Sequence, residues 1–299
     1  VINSSLAGVF KTAKDRGAKK VYGMLHGIQG LLQERCVDLE EHIKSDLDIE
    51  LLKRTPSAYL GSCRFKLPEI CDDRDIYDKI FSILDKLKVE YFFYIGGNDS
   101  MDTIKKLSDY SLLNGSKIRF MGVPKTIDND LAATDHTPGY GSAAKYIGAI
   151  TKEVIRDGLV YDQQNVTILE IMGRNAGWLT GAAALAKGED CEGPDMLFLP
   201  EVTFDVDSFM KKVEELHKKK ASVVVAVSEG VKLADGRYVC ELTDGIEFVD
   251  AFGHKQLTGT ARFLAEKINR EVGCKTRAIE FNSLQRCASH IVSRVDITE

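Results

Sequence analysis

Short apolar runs alternate with longer amphipathic stretches along the chain. The apolar runs are rich in β-branched and aromatic residues, which is typical of strands buried on both faces. They cover residues 21–25, 91–95, 118–123, 166–172, 196–199 and 223–227. The amphipathic stretches have apolar residues at helical spacing and cover residues 2–16, 74–88, 100–113, 142–156, 176–187, 206–219 and 258–271. This repeated order of strand and helix predicts an α/β fold with parallel sheets, whose ligands bind at the carboxyl ends of the strands.

Composition and charge narrow the possible classes of protein. The 299 residues are 44% hydrophobic and 28% charged, which is enough for two domains with cores of their own. A net charge of -5 gives no general attraction to nucleic acid or to an anionic membrane. The chain shows no apolar run long enough for a membrane span and no secretion leader. Its seven cysteines are widely spaced without a CxxC pair, which argues against a disulfide framework or a zinc site and favours the cytoplasm.

The first candidate site is a glycine-rich turn after the apolar run at 91–95. Gly96 and Gly97 lie where this predicted strand ends and a predicted helix begins at Ser100. At such a turn the backbone can approach a ligand closely, and N–H groups at the helix end can face an anion. The same glycines would also suit a tight turn that binds nothing. On these residues alone, phosphate binding and a purely structural turn both remain open.

The second candidate site is GVPKTIDNDLAATDHTPGYGSAAK at 122–145, which also follows an apolar run. It places Lys125, Thr126, Asp128 and Asp130 close together on a predicted turn. Two carboxylates and an ammonium group at this spacing can supply a general base, a metal ligand and a positive charge for a phosphoryl group in transit. The alternative is that the acidic and amide residues only cap turns and helices.

These two segments and four others, in the same order, resemble the phosphofructokinase family. The other four are GSCRF at 61–65, EIMGRNAGW at 170–178, SEG at 228–230 and TRAIEFNSLQR at 276–286. The resemblance covers nearly the whole chain. It implies transfer of a phosphoryl group to the 1-hydroxyl of fructose 6-phosphate with Mg²⁺ as cofactor. The implied fold is α/β, with two doubly wound parallel-sheet lobes and the active site in the cleft between them.

The resemblance also implies a role for individual residues. Asp128 matches the proton acceptor for the sugar hydroxyl, and Lys125 and Asp130 are its catalytic neighbours. We expect Lys125 and Mg²⁺ to hold the pKa of Asp128 low. The residues that match the sugar-phosphate site are Thr126, Asp128, Met172, Gly173, Arg174, Glu229, Arg277, Ser283 and Arg286. The residues that match the donor site are Arg64, Gly97, Asp99, Ser100 and Lys125, and those that match the metal site are Asn98 and Asp99.

Within the resemblance, the identity of the phosphoryl donor depends on Asp99 and Lys125. ATP-using relatives typically carry glycine at both positions, whereas pyrophosphate-using relatives resemble this chain. A carboxylate at Asp99 would occupy the space where the α-phosphate of ATP must lie and place negative charge there, while pyrophosphate stops short of it. Lys125 supplies positive charge to the smaller donor. The sequence therefore predicts a reversible, pyrophosphate-dependent kinase of glycolysis or gluconeogenesis.

Three residues depart from the family pattern and keep alternatives open. Asn98 stands where the family usually has a metal-linked aspartate, so the nearby carboxylates must carry more of the metal binding. Asn165 stands where many relatives have a phosphate-binding arginine, and Ser283 replaces a histidine or tyrosine. A non-catalytic, regulatory sugar-phosphate-binding subunit therefore remains an alternative. An ATP-dependent 6-phosphofructokinase is the other alternative, which Asp99 and Lys125 disfavour.

We expect a phosphoryl-donor lobe over residues 1–136, to which the chain returns at 285–299, and a sugar-phosphate lobe over residues 137–284. The resemblance implies that Arg277 reaches the cleft of a neighbouring copy, so a homodimer or homotetramer is expected. The opening VINSSLAGVF resembles the helix that follows the first strand and phosphate loop of the family. That strand, its loop and a C-terminal segment are therefore expected to be missing from this sequence.

Overall fold

The computed structural model describes residues 1–242 and 257–299. Its strands are β1 Tyr22–Met24, β2 Cys36–Asp38, β3 Tyr91–Gly96, β4 Arg119–Pro124, β5 Asn165–Ile171, β6 Met196–Phe198, β7 Ser222–Ser228 and β8 Lys275–Glu280. Its α-helices are α1 Ile2–Asp15, α2 Gly27–Leu32, α3 Leu39–His42, α4 Asp46–Arg54, α5 Arg74–Lys86, α6 Asn98–Leu113, α7 Tyr140–Gly158, α8 Trp178–Gly181, α9 Val206–His217, α10 Thr260–Val272, α11 Leu284–Cys287 and α12 Arg294–Thr298. Short 3-10 helices cover Ala182–Ala186, Val239–Leu242 and Ser289–Ile291.

The larger sheet is parallel and has the strand order β6-β7-β5-β8. Strands β5 and β7 occupy its centre and consist of buried residues almost throughout, because helices cover both faces. Side chains of β5 alternate between two cores: Val166 and Ile168 pack towards α9 and α10, whereas Leu169 and Ile171 pack towards α7. Since β5 and β7 are in register, their carboxyl ends lie side by side.

The smaller parallel pair, β3 with β4, packs against α5 and α6. Tyr77, Ile80 and Leu107 are fully buried in its core. The prediction that these strands are buried on both faces is wrong. Tyr91 is 54% exposed and Met121 is 49% exposed. On this face α1 contacts β3, where Ile95 packs against the cluster that includes Leu6 and Phe10.

Further sequence-based expectations need correction. The run at 21–25 forms β1, but β1 pairs antiparallel with β2 instead of joining a parallel sheet. In addition, the sequence pattern did not predict β8, which is largely polar and pairs with β5 alone among the described strands. Strand β2 and helices α2 to α4 were also not predicted, and the helix predicted at 176–187 is the short α8 followed by a 3-10 helix. The α/β class with parallel sheets is confirmed.

The last helix of the chain packs against the start of α7 and against α1. The buried carboxylate of Asp296 accepts a hydrogen bond from the Gly139 N–H at 2.9 Å and further bonds from the N–H and hydroxyl of Ser142. A carboxylate here satisfies N–H groups that the helix itself leaves free. The side chain of His136 pairs with Glu299, which places this histidine in the same structural contact.

All seven cysteines are free thiols. None of the helices in the described ranges 1–242 and 257–299 combines the length and apolar character that crossing a bilayer requires.

Candidate active site

The glycine-rich turn joins β3 to α6. Gly97 is the N-cap residue, so α6 begins at Asn98, two residues before the predicted start at Ser100. A Cβ atom on Gly96 would lie 2.0 Å from the Ser100 Oγ, so a larger residue would push the turn open. The first N–H groups of α6 lack partners within the helix, and together with the helix dipole they form a site for an anion. Asp99 lies exposed in this first turn.

The second loop starts at the same edge of the sheet, because Gly96 and Pro124 are opposite each other in the parallel pair. The Lys125 N–H donates to the Gly96 carbonyl at 2.8 Å, which joins the two loops directly. Asn98 Nδ2 donates to Asp130 Oδ2 at 3.0 Å and joins them a second time. The structure therefore brings together the glycine-rich turn and the carboxylates of the second loop.

Hydrogen bonds inside the second loop hold Asp128 in place. Its N–H donates to the Thr126 hydroxyl at 3.2 Å. Buried Asn129, which has a positive φ of 55°, accepts from the Thr137 N–H at 2.8 Å. The Thr137 hydroxyl in turn donates to the Thr126 carbonyl at 3.0 Å. The Oδ1 atom of Asp128 is buried and has no hydrogen-bond partner among the described residues, so it remains available to a ligand.

The carboxyl ends of β5 and β7 form the opposite side of the site. The buried Ser228 hydroxyl donates to the Gly173 carbonyl at 2.7 Å and accepts from the Gly230 N–H at 3.0 Å. The Met172 N–H donates to Oε1 of buried Gln285 at 3.3 Å. Sequence reasoning missed Ser228 and Gln285 as positioning residues. Ser228 lies inside the SEG motif and Gln285 inside the motif at 276–286, so both could have been found there.

Gly230→Ala is expected to raise KM for the sugar phosphate. The added Cβ would lie 2.0 Å from the Arg174 carbonyl oxygen, so the loop carrying Arg174 would have to move. We expect an increase in KM of roughly tenfold or more, equivalent to about 1.4 kcal/mol of binding. Steady-state kinetics with varied sugar phosphate would measure it. Gly8→Ala on α1 is the control, because nothing lies within 4 Å of its Cβ position and its backbone is helical. An unchanged KM in Gly230→Ala would contradict the packing argument.

Charged groups from both sides of the site act on Asp128. Burial, and then the negative charge of Asp130, raise the pKa of the Asp128 carboxyl above its ordinary value. The opposing positive charges of Lys125, Arg286 and Arg174 only partly offset this. The expectation that Lys125 holds this pKa low is therefore wrong for the protein alone, because loss of hydration outweighs the ammonium.

The pKa values of Lys125 and Glu229 are also shifted from their ordinary values. Burial and the positive charge of Arg286 lower the pKa of the half-buried Lys125, and Asp128 acts in the opposite direction. Burial raises the pKa of the Glu229 carboxyl to about 7, although the Gly173 N–H and Arg174 act in the opposite direction. The second loop, the β5 end, the β7 end and α11 thus all contribute charges to one cleft.

Three of the candidate residues have a different setting. Arg277 lies on β8, where its guanidinium pairs with Asp157 at 2.8 Å and stacks near the Tyr161 ring. Arg64 is exposed on the segment between α4 and α5. Ser283 is exposed, and its hydroxyl accepts from Arg286 Nη2 at 3.4 Å. Within one chain, the charges that act most strongly on Asp128 include Arg286.

The donor atoms of the two loops suit a magnesium ion. Asn98, Asp99, Asp128 and Asp130 offer amide and carboxylate oxygens, which Mg²⁺ prefers. In the described part of the chain, these carboxylates do not form a closed cluster of three protein ligands. Mg²⁺ is commonly held by one or two carboxylates together with substrate phosphates, so the exposed oxygens of Asn98, Asp99 and Asp130 fit such an open site.

The chain is similar to known proteins over nearly its whole length. The family model "PFK: Phosphofructokinase" matches residues 1–294. The chain is 39% identical over 303 residues to the pyrophosphate–fructose 6-phosphate 1-phosphotransferase of Halomonas elongata, and the match covers 100% of this chain and 71% of the relative. It is 40% identical over 298 residues to the protein of the same name from Xanthomonas campestris pv. campestris, with 99% and 70% covered.

A solved structure is also similar over the whole chain. The crystal structure of the pyrophosphate-dependent phosphofructokinase from Nitrosospira multiformis superposes with a TM-score of 0.84 at 37% identity. The match covers 100% of this chain and 70% of that one. The chain belongs to the phosphofructokinase family.

Proposed function

We propose that this protein transfers a phosphoryl group from pyrophosphate to the 1-hydroxyl of fructose 6-phosphate, reversibly, giving fructose 1,6-bisphosphate and phosphate. The observation that carries the proposal is the buried, unpartnered Oδ1 of Asp128, together with the charges of Lys125, Arg174 and Arg286 that act on this carboxyl. The names of the similar proteins from Halomonas elongata and Nitrosospira multiformis support the choice of reaction.

In the proposed reaction Asp128 accepts the proton of the sugar 1-hydroxyl. A raised pKa makes its carboxylate a stronger base than an exposed aspartate, provided that it is ionised. The Lys125 ammonium lies beside it and contributes positive charge where the phosphoryl group passes. Asn98, Asp99 and Asp130 would hold Mg²⁺ together with the donor phosphates. When bound, Mg²⁺ neutralises charge on the transferred group.

Asp99 and Lys125 favour pyrophosphate over ATP in this proposal. Both lie at the junction of the two loops, Asp99 in the first turn of α6 and Lys125 one hydrogen bond from Gly96. A third phosphate extending past the turn would meet the Asp99 carboxylate, whereas pyrophosphate ends before it. An ATP-dependent kinase is the weaker alternative for this reason.

The sugar phosphate is assigned to the other side of the cleft. Glu229 accepts hydrogen bonds from sugar hydroxyls, while Arg174 and Arg286 bind the 6-phosphate. Arg277, whose guanidinium pairs with Asp157 within this chain, is assigned to the cleft of a second copy because the family resemblance implies that role. The proposed assembly is a homodimer or homotetramer, and the proposed location is the cytoplasm, where free thiols persist.

The test is the initial rate of fructose 1,6-bisphosphate formation with pyrophosphate and ATP supplied in parallel, in the presence of Mg²⁺. Asp128→Ala serves as the blank. We expect a pyrophosphate rate well above the ATP rate and no rate in the blank. A preference for ATP would overturn the donor assignment. No rate with either donor, in protein that binds fructose 6-phosphate, would favour a regulatory sugar-phosphate-binding subunit.

KM for fructose 6-phosphate is expected to rise as the pH falls below 7. The pKa of Glu229 is raised to about 7, so below this pH the carboxyl is protonated and loses part of its capacity to accept hydrogen bonds. A single titrating group gives up to about a tenfold change per pH unit below its pKa. Kinetics of the wild type and Glu229→Gln between pH 6 and 8 would measure it. The variant should have a raised KM, and the ratio of the two KM values should approach one at low pH; a ratio independent of pH would refute the assignment.

A further inference from the structure

Lys106 is a buried ammonium group on α6, away from the reacting atoms. It is 6% exposed, and its Nζ contacts three acceptors: Asp102 Oδ2 at 2.8 Å, Glu69 Oε1 at 2.8 Å and the Leu67 carbonyl at 3.0 Å. Burial lowers the pKa of Lys106, but the hydrogen bonds to the two carboxylates outweigh burial and raise it above its usual range. All three donors of the ammonium are therefore used, and the group stays charged.

Two of these contacts reach the segment that carries Arg64. Leu67 is 1% exposed, so its side chain is fixed in the core beside α5 and α6. Buried Tyr77 donates from its hydroxyl to the Pro68 carbonyl at 2.5 Å. With Lys106 on Leu67 and Glu69, this end of the segment is attached to both helices.

The other end of the segment is attached at the β1–α2 turn. The His26 N–H donates to the Leu60 carbonyl at 2.7 Å, and the His26 ring lies 3.3 Å from the Ser62 carbonyl. Arg64 therefore lies between two attachment points. Lys106 lies on α6, the helix whose first turn begins at Asn98 and follows the glycine-rich turn. Lys106 follows that turn by eight residues, or about 12 Å along the axis.

We propose that Lys106 is a positioning residue for the phosphoryl donor, which fixes the Arg64 segment relative to the first turn of α6. The proposal rests on the proposed function, because it assigns Arg64 and the start of α6 to donor binding. Without the ammonium, Glu69 and Asp102 repel each other and the Leu67 carbonyl loses a charged donor. The segment then holds Arg64 less firmly, so donor binding weakens while the sugar phosphate, bound at β5 and β7, is unaffected.

The test compares Lys106→Met with Lys106→Arg and with a matched control, Lys105→Met. Lys105 is the neighbouring residue on α6 and forms the same type of i,i+4 pair, with Asp109 at 3.0 Å, but its side chain is 75% exposed. We expect Lys106→Met to raise KM for pyrophosphate by about tenfold with KM for fructose 6-phosphate within about twofold. Lys106→Arg should recover part of the loss, and Lys105→Met should behave as the wild type. An equal rise in both KM values, or none, would overturn the proposal.

Arg64→Ala separates this proposal from the proposed function. If Arg64→Ala leaves KM for pyrophosphate unchanged, the donor assignment of Arg64 is wrong and the positioning role falls with it. If Arg64→Ala raises that KM and Lys106→Met does not, only the positioning role is wrong. The double variant should match Arg64→Ala alone, because Lys106 acts through Arg64. Should Lys106→Met fail to fold, Glu69→Gln weakens the same attachment and is expected to raise KM for pyrophosphate to a smaller degree.

Discussion

Asp128→Asn is expected to lower the rate of fructose 1,6-bisphosphate formation by about 10³-fold or more, since general base catalysis typically contributes 10²–10⁴-fold. The amide keeps the shape of the carboxylate but cannot accept the proton of the sugar hydroxyl. The bonds that hold the loop use the Asp128 N–H and not its side chain, so the loop should keep its structure. The measurement is kcat with saturating pyrophosphate, fructose 6-phosphate and Mg²⁺.

Stability gives this variant an independent readout. An acid whose pKa is raised by folding binds its proton more tightly in the folded state, so its contribution to the free energy of unfolding falls as the pH rises from its unfolded pKa through its folded pKa. Asparagine has no such charge, and we expect Asp128→Asn to be at least as stable as the wild type at pH 8. Asp135→Asn, an exposed neighbour on the same loop, is the control for both readouts. An Asp128→Asn variant with more than about a tenth of the wild-type rate would contradict the proposed catalytic role. A variant that is less stable than the wild type at pH 8 would contradict the stability argument.

The double variant Asp99→Gly/Lys125→Gly is expected to shift donor preference from pyrophosphate towards ATP. Removal of the half-buried ammonium should lower kcat/KM for pyrophosphate by about 10²-fold, in the range measured for single charged or donor groups that stabilise a transition state. Removal of the Asp99 carboxylate opens the space beyond the first turn of α6. Parallel kinetics with the two donors give the preference as a ratio of kcat/KM values.

The single variants decide whether the two residues act as proposed. Asp99→Gly alone should gain little ATP use, because Lys125 still fills the junction of the two loops. Lys125→Gly alone should lose pyrophosphate use and leave ATP excluded by the carboxylate. Asp109→Gly places a glycine at another aspartate of α6, whose side chain is 50% exposed, and should leave donor preference unchanged. ATP use that rises equally in Asp109→Gly would refute the steric argument.

Local pattern was sufficient to predict the central elements of the fold. Strands β5 and β7 are continuous apolar runs because helices cover both faces of their sheet, and such runs are visible in sequence. Strand β8 escaped prediction since it pairs only with β5 among the described strands and needs apolar side chains on few positions. The direction of β1 also escaped, because three residues carry no signal for parallel or antiparallel pairing.

The residues of the candidate site also differ in how far the sequence could predict them. Residues whose type is dictated by chemistry, such as Asp128 and Glu229, could be selected from motifs and resemblance. Lys106 could not, because it is a polar residue in an ordinary helical position and its role depends on contacts with a distant segment. The raised pKa of Asp128 was also beyond the sequence, since it depends on how fully the folded loop excludes water.

The order of synthesis on the ribosome gives the contacts of Gln285 and Asp296 a further consequence. Gln285 leaves the ribosome 113 residues after Met172, and Asp296 follows Ser142 by 154 residues. Strand β5 also receives β8 as its neighbour only at this late stage. Until then the central strand of the larger sheet has an unpaired edge, which is open to pairing with other chains. We therefore expect the nascent chain to need protection during synthesis until β8 pairs with β5 and Gln285 reaches Met172.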